Sequence, residues 1–403
     1  MPERLSSNLL HLKASETVAI SAEAKRRKAA GEDVLDLGVG EPDFDTPAPI
    51  AEAGIQAIRA GKTRYPPNTG LPELRRAIAE NLSRLSQDRP VDPDRIVVGT
   101  GSKQALFNTC FALFGARDKV LIPSPAWVSY PQIIHLCRAE PIMVPGDVEW
   151  GLKIGVPDLE RHTDKLVRGL VLCSPCNPTG AVYTLAELKA IAEWAQKHEI
   201  WIVADEIYRR INYGPGPAPS FLDLPEALRE RVAIITGASK AYAMTGWRIG
   251  CVIAPPHLVS AVAALQSHTT TGANQPAQWA AVTAYGDPRV EEDVAKMVAA
   301  FRQRRDLLVR RFRDEAPGVE FVDPHGAFYF FFRVDGIAPG MGGAAFCTRL
   351  MQDTGIALVP GSAFGDDRWA RLSYAVSDRE LDRALERLFP FMARLARLAG
   401  QGA

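Results

Sequence analysis

The chain has 403 residues, of which 47% are apolar and 23% are charged, proportions typical of a globular protein with a sizeable core. Lys and Arg together number 47, as do Asp and Glu, so the net charge of zero gives no support for a nucleic-acid or anionic-membrane partner. No apolar run is long enough to predict a membrane span, and residues 1–33 lack the pattern of a secretory signal.

Short apolar runs alternate with helical patterns through most of the chain. The first forty or so residues contain one helix and a short apolar strand at residues 34–37. Six further runs predict strands at residues 95–99, 119–122, 169–173, 200–204, 232–236 and 249–253. Most are almost continuously apolar, which is typical of strands covered on both faces. Helical patterns, such as residues 103–113 and 185–197, separate these runs, so the sequence predicts an α/β fold with a mostly parallel, doubly wound sheet.

The C-terminal part has a different order of elements. It predicts a long charged helix at 289–313, strands at 327–332, 356–359 and 370–374, and helices at 344–352 and 378–398. This order suits a small α+β domain attached through a connecting helix, with the N-terminal segment packed against it. We therefore divide the chain into an N-terminal arm and part of the small domain (1–48), a large domain (49–288), and a linking helix with the small domain (289–403).

Cysteine and histidine spacings give no evidence for a metal or redox centre. Cys173 and Cys176 form a C-x-x-C pair, but no second pair is present, so we interpret them as two small residues at a strand end. The histidines have no ligand spacing between them, which predicts no metal site. Most of the six cysteines lie among apolar residues, as reduced cytoplasmic cysteines do.

Two segments that follow predicted strands carry polar groups suited to a ligand. Residues 99–105 combine glycines with the start of a helix, whose backbone N–H groups can bind phosphate, although this motif alone is weak. Asn177 lies between two prolines, which restrict the backbone around its amide. The alternative interpretation is an ordinary turn asparagine. Because open α/β sheets bind ligands beyond the carboxyl ends of their strands, we expect these segments to meet there.

Two further segments add charged groups at the same edge. Asp205 ends an apolar strand, where a carboxylate needs a partner, and Tyr208 follows one helical turn later; a helix-capping acid is the alternative. Lys240 and Arg248 lie in a stretch of small and apolar residues. A lysine there can become a nucleophile toward a carbonyl, and an arginine provides a donor fork for phosphate. Taken alone, a half-buried lysine and an ion-paired arginine would explain the same pattern.

The four segments, in this order, resemble the class I and II aminotransferases, which are fold type I enzymes that use pyridoxal 5′-phosphate. The resemblance rests on Asn-Pro-Thr-Gly at 177–180, Asp-Glu-Ile-Tyr at 205–208, Ser-Lys at 239–240 and Trp-Arg-Ile-Gly at 247–250, and it covers nearly the whole chain. Lys-Gln-Ala-Leu-Phe-Asn at 103–108 is similar to a bacterial aspartate aminotransferase subgroup, some of which also accept prephenate. The resemblance implies a seven-stranded, mostly parallel sheet in the large domain.

The resemblance also implies roles around the cofactor ring. Lys240 would bind the cofactor covalently and move the proton of the substrate α-carbon, while Asp205 would keep the pyridine nitrogen protonated. Asn177 and Tyr208 would hydrogen-bond the phenolic oxygen of the ring. Trp127 would stack on the ring, and Trp127 and Asn177 would also contact the substrate.

The cofactor phosphate has its own implied set of ligands. Arg248 and the backbone of Gly101, Ser102 and Lys103 would hold it. Tyr65 would reach it from the neighbouring subunit, so the resemblance implies a homodimer with shared active sites.

The substrate would be held at both ends. Arg371, assisted by the backbone at Gly40, would bind the α-carboxylate, and Lys103 would bind the distal carboxylate. The chain departs from the family at Gly237, where many relatives have a phosphate-binding serine, so that this phosphate contact is either absent or replaced by Ser239 or by a water.

These roles predict a cytoplasmic transaminase that moves an amino group from an L-amino acid to a 2-oxo acid by a ping-pong route. L-Aspartate and 2-oxoglutarate are the expected substrates. Prephenate or an aromatic amino acid is the alternative, and a pyridoxal-phosphate-dependent lyase or acyltransferase of the same fold is a further one.

Overall fold

The computed structural model describes residues 6–9, 12, 16–337 and 340–400, so part of the predicted segment 1–48 lies outside the described residues. The N-terminal part contains α1 (Glu16–Ala29), β1 (Leu35–Asp36), α2 (Ala48–Arg59) and α3 (Pro72–Leu85). The central part contains β2 (Ile96–Thr100), α4 (Ser102–Leu113), β3 (Lys119–Ser124), α5 (Ser129–Leu136), β4 (Glu140–Pro145), α6 (Val156–His162), β5 (Val167–Cys173), α7 (Leu185–Lys197), β6 (Trp201–Asp205), β7 (Val232–Gly237), α8 (Ala238–Ala241), β8 (Ile249–Ile253), α9 (Pro256–Ser267) and α10 (Gln275–Gly286). The C-terminal part contains α11 (Pro288–Glu315), β9 (Phe321–Val322), β10 (Tyr329–Arg333), α12 (Gly343–Thr354), β11 (Ile356–Ala357), β12 (Val359–Pro360), β13 (Trp369–Ser373) and α13 (Asp378–Gly400).

The central strands form one seven-stranded sheet in the order β2–β8–β7–β6–β5–β3–β4. Strand β8 is antiparallel to both of its neighbours, and the remaining pairs are parallel. The prediction of an α/β fold with a mostly parallel seven-stranded sheet is confirmed. The predicted strands are nearly continuously buried, because helices cover both faces of the sheet.

Strand β4 was not among the strands located from the sequence. Its segment, Glu140–Pro145, contains two prolines and begins with a charged residue, so it lacks the continuous apolar run of the other strands. It lies at the edge of the sheet and pairs only with β3. An edge strand tolerates prolines because one side of its backbone needs no ladder partner.

The C-terminal strands form a four-stranded antiparallel sheet in the order β12–β13–β10–β9, and β1 pairs in parallel with β11. The single strand predicted at 356–359 is wrong. The segment is divided at Leu358 because β11 bonds to β1, whereas β12 bonds to β13. The domain boundaries at 48/49 and 288/289 stay a prediction, which the pairing of an N-terminal with a C-terminal strand supports.

Helix α11 connects the large and small sheets over 28 residues. Its Arg304 donates from Nη1 to Asp43 Oδ1 at 2.8 Å and from Nε to Asp378 Oδ1 at 2.7 Å. The guanidinium thereby joins the segment before α2 to the start of α13. No helix among the described residues is long and apolar enough to cross a membrane.

Candidate active site

A cavity of about 500 Å³ lies at the edge of the large sheet where β5, β6 and β7 end. Most of the predicted site residues line it: Gly40, Ser102, Lys103, Trp127, Asn177, Asp205, Tyr208, Ser239, Lys240, Arg248 and Arg371. Parallel strands place the loops after them side by side, so segments distant in sequence meet here. Helix α1 also lines the cavity, and the sequence had indicated only that this helix packs with the small domain.

Lys240 lies in the short helix α8, immediately after β7, and its amine donates a hydrogen bond to the carbonyl oxygen of Gly40. Burial is the main reason that the pKa of the Lys240 amine is lowered to about 8; the positive charges of Arg371 and Arg248 act in the same direction, and the negative charges of Glu41 and Asp205 oppose them. A larger fraction of the amine is therefore neutral near physiological pH than for an exposed lysine. The neutral amine is the form that attacks a carbonyl carbon.

Asp205 is the last residue of β6, and its side chain is 5% exposed. Its Oδ2 accepts a hydrogen bond from the hydroxyl of Tyr130 at 2.8 Å, and its Oδ1 accepts one from the backbone N–H of Ile207 at 3.2 Å. Burial raises the pKa of the Asp205 carboxyl despite these bonds. A cationic group beside it would stabilise its ionised form.

Arg371 lies on β13 and is almost completely buried. Its Nη1 donates to Asn177 Oδ1 at 2.8 Å, and its Nη2 donates to the carbonyl oxygen of Gly38 at 2.7 Å. The Nε of this guanidinium has no hydrogen-bond partner within the described residues. The carbonyl oxygen of Gly40 accepts a hydrogen bond from Lys240, and the role of the Gly40 backbone beside Arg371 in binding the substrate carboxylate stays a prediction. The arginine is held in one orientation with donor capacity left for an anion.

Two tyrosines, Tyr208 and Tyr329, lie near Lys240 and Arg371. The hydroxyls of Tyr208 and Tyr329 are 2.7 Å apart, and the guanidinium of Arg371 lies 4.3 Å from the centre of the Tyr329 ring. The Lys240 amine lies 5.9 Å from the centre of the Tyr208 ring. Tyr208 therefore lies close to the Lys240 amine, with its hydroxyl bonded to Tyr329.

Glycines allow the predicted phosphate-binding segments to approach closely. Gly101 has a positive φ of 79°, and a Cβ built on it would lie 2.5 Å from Arg248 Nη2. A Cβ on Gly250 would collide with the backbone nitrogen of Ser102. The N-terminus of α4 and the Arg248 guanidinium consequently lie together at the cavity wall, an arrangement suited to a phosphate.

Gly237 has a steric explanation. Its backbone is extended, and a Cβ on it would lie 2.9 Å from both the Cα of Gly250 and the carbonyl oxygen of Ile249. A serine here would require β7 and β8 to separate. Ser239, the proposed replacement, is 5% exposed and lines the cavity.

Lys103 and Trp127 form the outer wall of the cavity. The Lys103 amine lies 4.7 Å from the centre of the Trp127 ring, close enough for a cation–π interaction. Partial burial lowers the pKa of the Lys103 amine, and the positive charge of Arg248 adds to this effect. Lys103 thus presents its amine to the cavity beside Trp127.

Other residues depart from the sequence-based list. Tyr65 is 87% exposed and does not line the cavity of this chain. Tyr130, Tyr329 and Cys173 line the cavity but were not predicted as site residues. Tyr130 follows Trp127 by three residues, and its backbone N–H bonds the carbonyl oxygen of Trp127. A search for polar side chains three residues away from predicted site residues could have found it. The pairing of β10 with β13, which brings Tyr329 to the site, has no local sequence signal.

The polar groups of the cavity fit a phosphorylated aldehyde cofactor. A lysine with a lowered pKa, a buried carboxylate and an arginine beside a helix N-terminus lie around one space. Lys240 would hold the aldehyde carbon, Asp205 the ring nitrogen, and Arg248 with Ser102 the phosphate. Arg371 remains available for a substrate carboxylate.

Comparisons with known proteins agree with this geometry. A family model described as aminotransferase class I and II matches residues 32–388. An aspartate aminotransferase of Bacillus subtilis is 39% identical over 394 residues, covering 97% of this chain and 99% of that protein. A bifunctional aspartate aminotransferase and glutamate/aspartate-prephenate aminotransferase of Petunia hybrida is 43% identical over 394 residues, covering 95% and 82%, respectively.

A comparison with solved structures also finds similarity to an aspartate aminotransferase. An aspartate aminotransferase from Thermus thermophilus with maleate has a TM-score of 0.91 and 37% sequence identity to this chain. The similarity covers 98% of this chain and 100% of that one.

Proposed function

This chain belongs to the class I and II aminotransferases, and from that membership we propose that it transfers the amino group of L-aspartate to 2-oxoglutarate by a ping-pong route. Enzymes of this family use pyridoxal 5′-phosphate, which is the cofactor of this chain. One observation carries the proposal of substrate: Arg371 and Lys103 are two cationic side chains that line a single cavity, which Lys240 also lines.

The cofactor, when bound, supplies an aldehyde carbon and a conjugated ring that accepts electron density from the substrate α-carbon. Lys240 would provide the amine that holds this carbon. After the substrate amine has displaced it, the Lys240 amine would take the proton from the substrate α-carbon and deliver it to the carbon that had been the aldehyde carbon. Asp205 supplies a buried negative charge that keeps the ring nitrogen protonated. Tyr208 and Asn177 donate hydrogen bonds to the ring oxygen.

Arg371 binds the α-carboxylate because its planar fork can donate two parallel hydrogen bonds to one carboxylate. Lys103 binds the distal carboxylate as a point charge, and Trp127 limits where its amine can lie. The two contacts fix the substrate at both ends, which orients the α-carbon toward Lys240. L-Aspartate and 2-oxoglutarate both have this dicarboxylate form.

Prephenate is the second candidate amino acceptor. The names of relatives such as the Petunia protein include aspartate-prephenate aminotransferase activity, and prephenate also carries two carboxylates. The same pair of cations would serve it, and the position of α1 at the cavity wall would decide whether its ring is accepted.

The active unit is a homodimer in this proposal, with Tyr65 of each subunit completing the phosphate site of the other. Its 87% exposure on the single chain leaves the side chain available to a second subunit, as this role requires. The six free cysteines support a reducing compartment such as the cytoplasm.

Product analysis tests the proposed function directly. The holoenzyme is mixed with L-aspartate and 2-oxoglutarate, and we expect equal amounts of glutamate and oxaloacetate. A parallel reaction replaces 2-oxoglutarate with prephenate. Release of ammonia, carbon dioxide or alanine without glutamate would identify a lyase and overturn the proposal.

A further inference from the structure

A second cavity, of about 540 Å³, lies at the opposite edge of the large sheet. It is formed where β2 and β7 begin and where β8 ends, by residues 89–92 and 253–255 and the side chains of Arg95 and Arg229. It shares no lining residue with the active-site cavity. The length of β2 separates the two edges by roughly 16 Å, so a ligand here would not touch the active site.

Three arginines, Arg89, Arg95 and Arg229, line this second cavity, which we name the arginine cleft. Arg95 is neutralised, since its Nη2 lies 2.7 Å from Glu226 Oε1. Arg89 and Arg229 form no ion pair within the described part of the chain. The Nε of Arg229 is buried and has no hydrogen-bond partner there. The cleft therefore presents unused guanidinium donors.

The acidic residues of the cleft, Asp92 and Glu226, are fewer than its three arginines and compensate these charges only in part. Asp92 accepts a hydrogen bond from the backbone N–H of Asp94 at 2.8 Å, and Glu226 is bonded to Arg95. Burial lowers the pKa of the Arg229 guanidinium, and Arg95 and Arg89 lower it further although Glu226 opposes them. Arg229 is partly buried, and a bound anion would offset the cost of desolvating its guanidinium.

We propose that the arginine cleft binds a small dianion of phosphate or dicarboxylate type between the guanidiniums of Arg89 and Arg229. Two planar guanidinium groups that line the same cavity can donate several hydrogen bonds, which suits an anion with several acceptor oxygens. This site does not depend on the proposed transamination, because the two cavities have no residue in common.

Titration calorimetry of the holoenzyme with inorganic phosphate, at ionic strength held constant with chloride, tests the proposal. We expect one saturable site in the unmodified protein. Arg229→Gln should raise the Kd about tenfold, the effect of losing one charge-assisted hydrogen bond of about 1.4 kcal/mol. Arg89→Gln, on an exposed side chain, should act in the same direction and decides the result if Arg229→Gln does not fold.

Arg231→Gln is the matched control. Its guanidinium lies 3.4 Å from Glu199, beside the arginine cleft but outside its lining, so the Kd for phosphate should not change. A second titration uses succinate in an Arg371→Ala background, where the active-site carboxylate anchor is absent. Tighter binding of phosphate or of succinate identifies the class of dianion. The proposal would be overturned if neither phosphate nor succinate showed saturable binding. It would also be overturned if the Kd for phosphate were the same in Arg229→Gln, Arg89→Gln and Arg231→Gln.

Discussion

Arg371 Nη1 lies 2.8 Å from Asn177 Oδ1, although 194 residues separate them in the chain. The contact joins the small antiparallel sheet to the loop after β5, and the carbonyl oxygen of Gly38 holds the other end of the guanidinium. The substrate-binding arginine is consequently fixed by both parts of the molecule. The position of the Arg371 guanidinium therefore depends on how the small sheet packs against the large domain, as well as on the presence of an arginine at this position.

Arg371→Lys should therefore impair substrate binding more than folding. Lysine keeps the charge but loses the planar fork, so kcat/KM for L-aspartate should fall roughly 100-fold, as expected for two charge-assisted hydrogen bonds of about 1.4 kcal/mol each. Steady-state kinetics measure this change. Arg333→Lys, on an ion pair with Asp335 and Glu320, is the control and should leave kcat/KM unaltered. A loss below about threefold in Arg371→Lys would contradict the assignment.

Lys103→Gln should separate dicarboxylate from aromatic substrates. Removing the charge should raise the KM for L-aspartate about tenfold and that for an aromatic amino acid less than about twofold, since only the former has a distal carboxylate. Lys62→Gln is a matched control because the Lys62 amine also lies over an indole ring, 5.2 Å from the centre of Trp279. Equal losses for both substrate classes would instead assign Lys103 to the phosphate or to folding.

The pKa of Lys240 predicts how fast the apoenzyme takes up pyridoxal phosphate at different pH. Only the neutral amine attacks, so below a pKa of about 8 the rate should fall about tenfold for each pH unit, and above it the rate should be nearly constant. Stopped-flow absorbance measures this uptake, and Lys240→Ala should show no covalent capture. A rate that continues to rise to pH 10 would indicate an ordinary lysine.

The strands of the large sheet and most of the site could be predicted because their signals are local. Apolar runs mark buried strands, and the residues after them carry the chemistry. Strand β4 at 140–145 was missed because prolines interrupt it, and 356–359 was misjudged because its division depends on two different partners. Tyr329 reaches the cavity only through strand pairing, which residue type and spacing do not encode.

Gly237→Ala tests the steric explanation for the missing serine. The added methyl would lie 2.9 Å from backbone atoms of β8, so the free energy of unfolding should fall by about 1–3 kcal/mol. Denaturant unfolding measures the change. Gly318→Ala is the control, since a Cβ there would meet no atom within 4 Å. Equal stability of the two variants would show that β7 and β8 can separate to admit a side chain.

Glu206 should make stability depend on pH. It is 3% exposed, accepts hydrogen bonds from Ser220 and from the backbone of Phe221, and burial raises the pKa of its carboxyl to about 7. Because the folded pKa exceeds the unfolded value near 4.5, its stabilising contribution is complete below pH 4.5 and is lost as the pH rises through about 7.

Glu206→Gln removes this titration and keeps one oxygen as the acceptor for the Phe221 N–H, while the hydroxyl of Ser220 can rotate to accept from the new amide nitrogen. Relative to the variant, the unmodified protein should lose on the order of 2–3 kcal/mol of unfolding free energy between pH 4.5 and 7. Denaturant unfolding at several pH values measures the difference. Glu193→Gln, on an exposed pair with Lys189, should show no such trend. A constant difference between Glu206→Gln and the unmodified protein across this window would mean that Glu206 stays ionised, with Arg209 as its counter-charge.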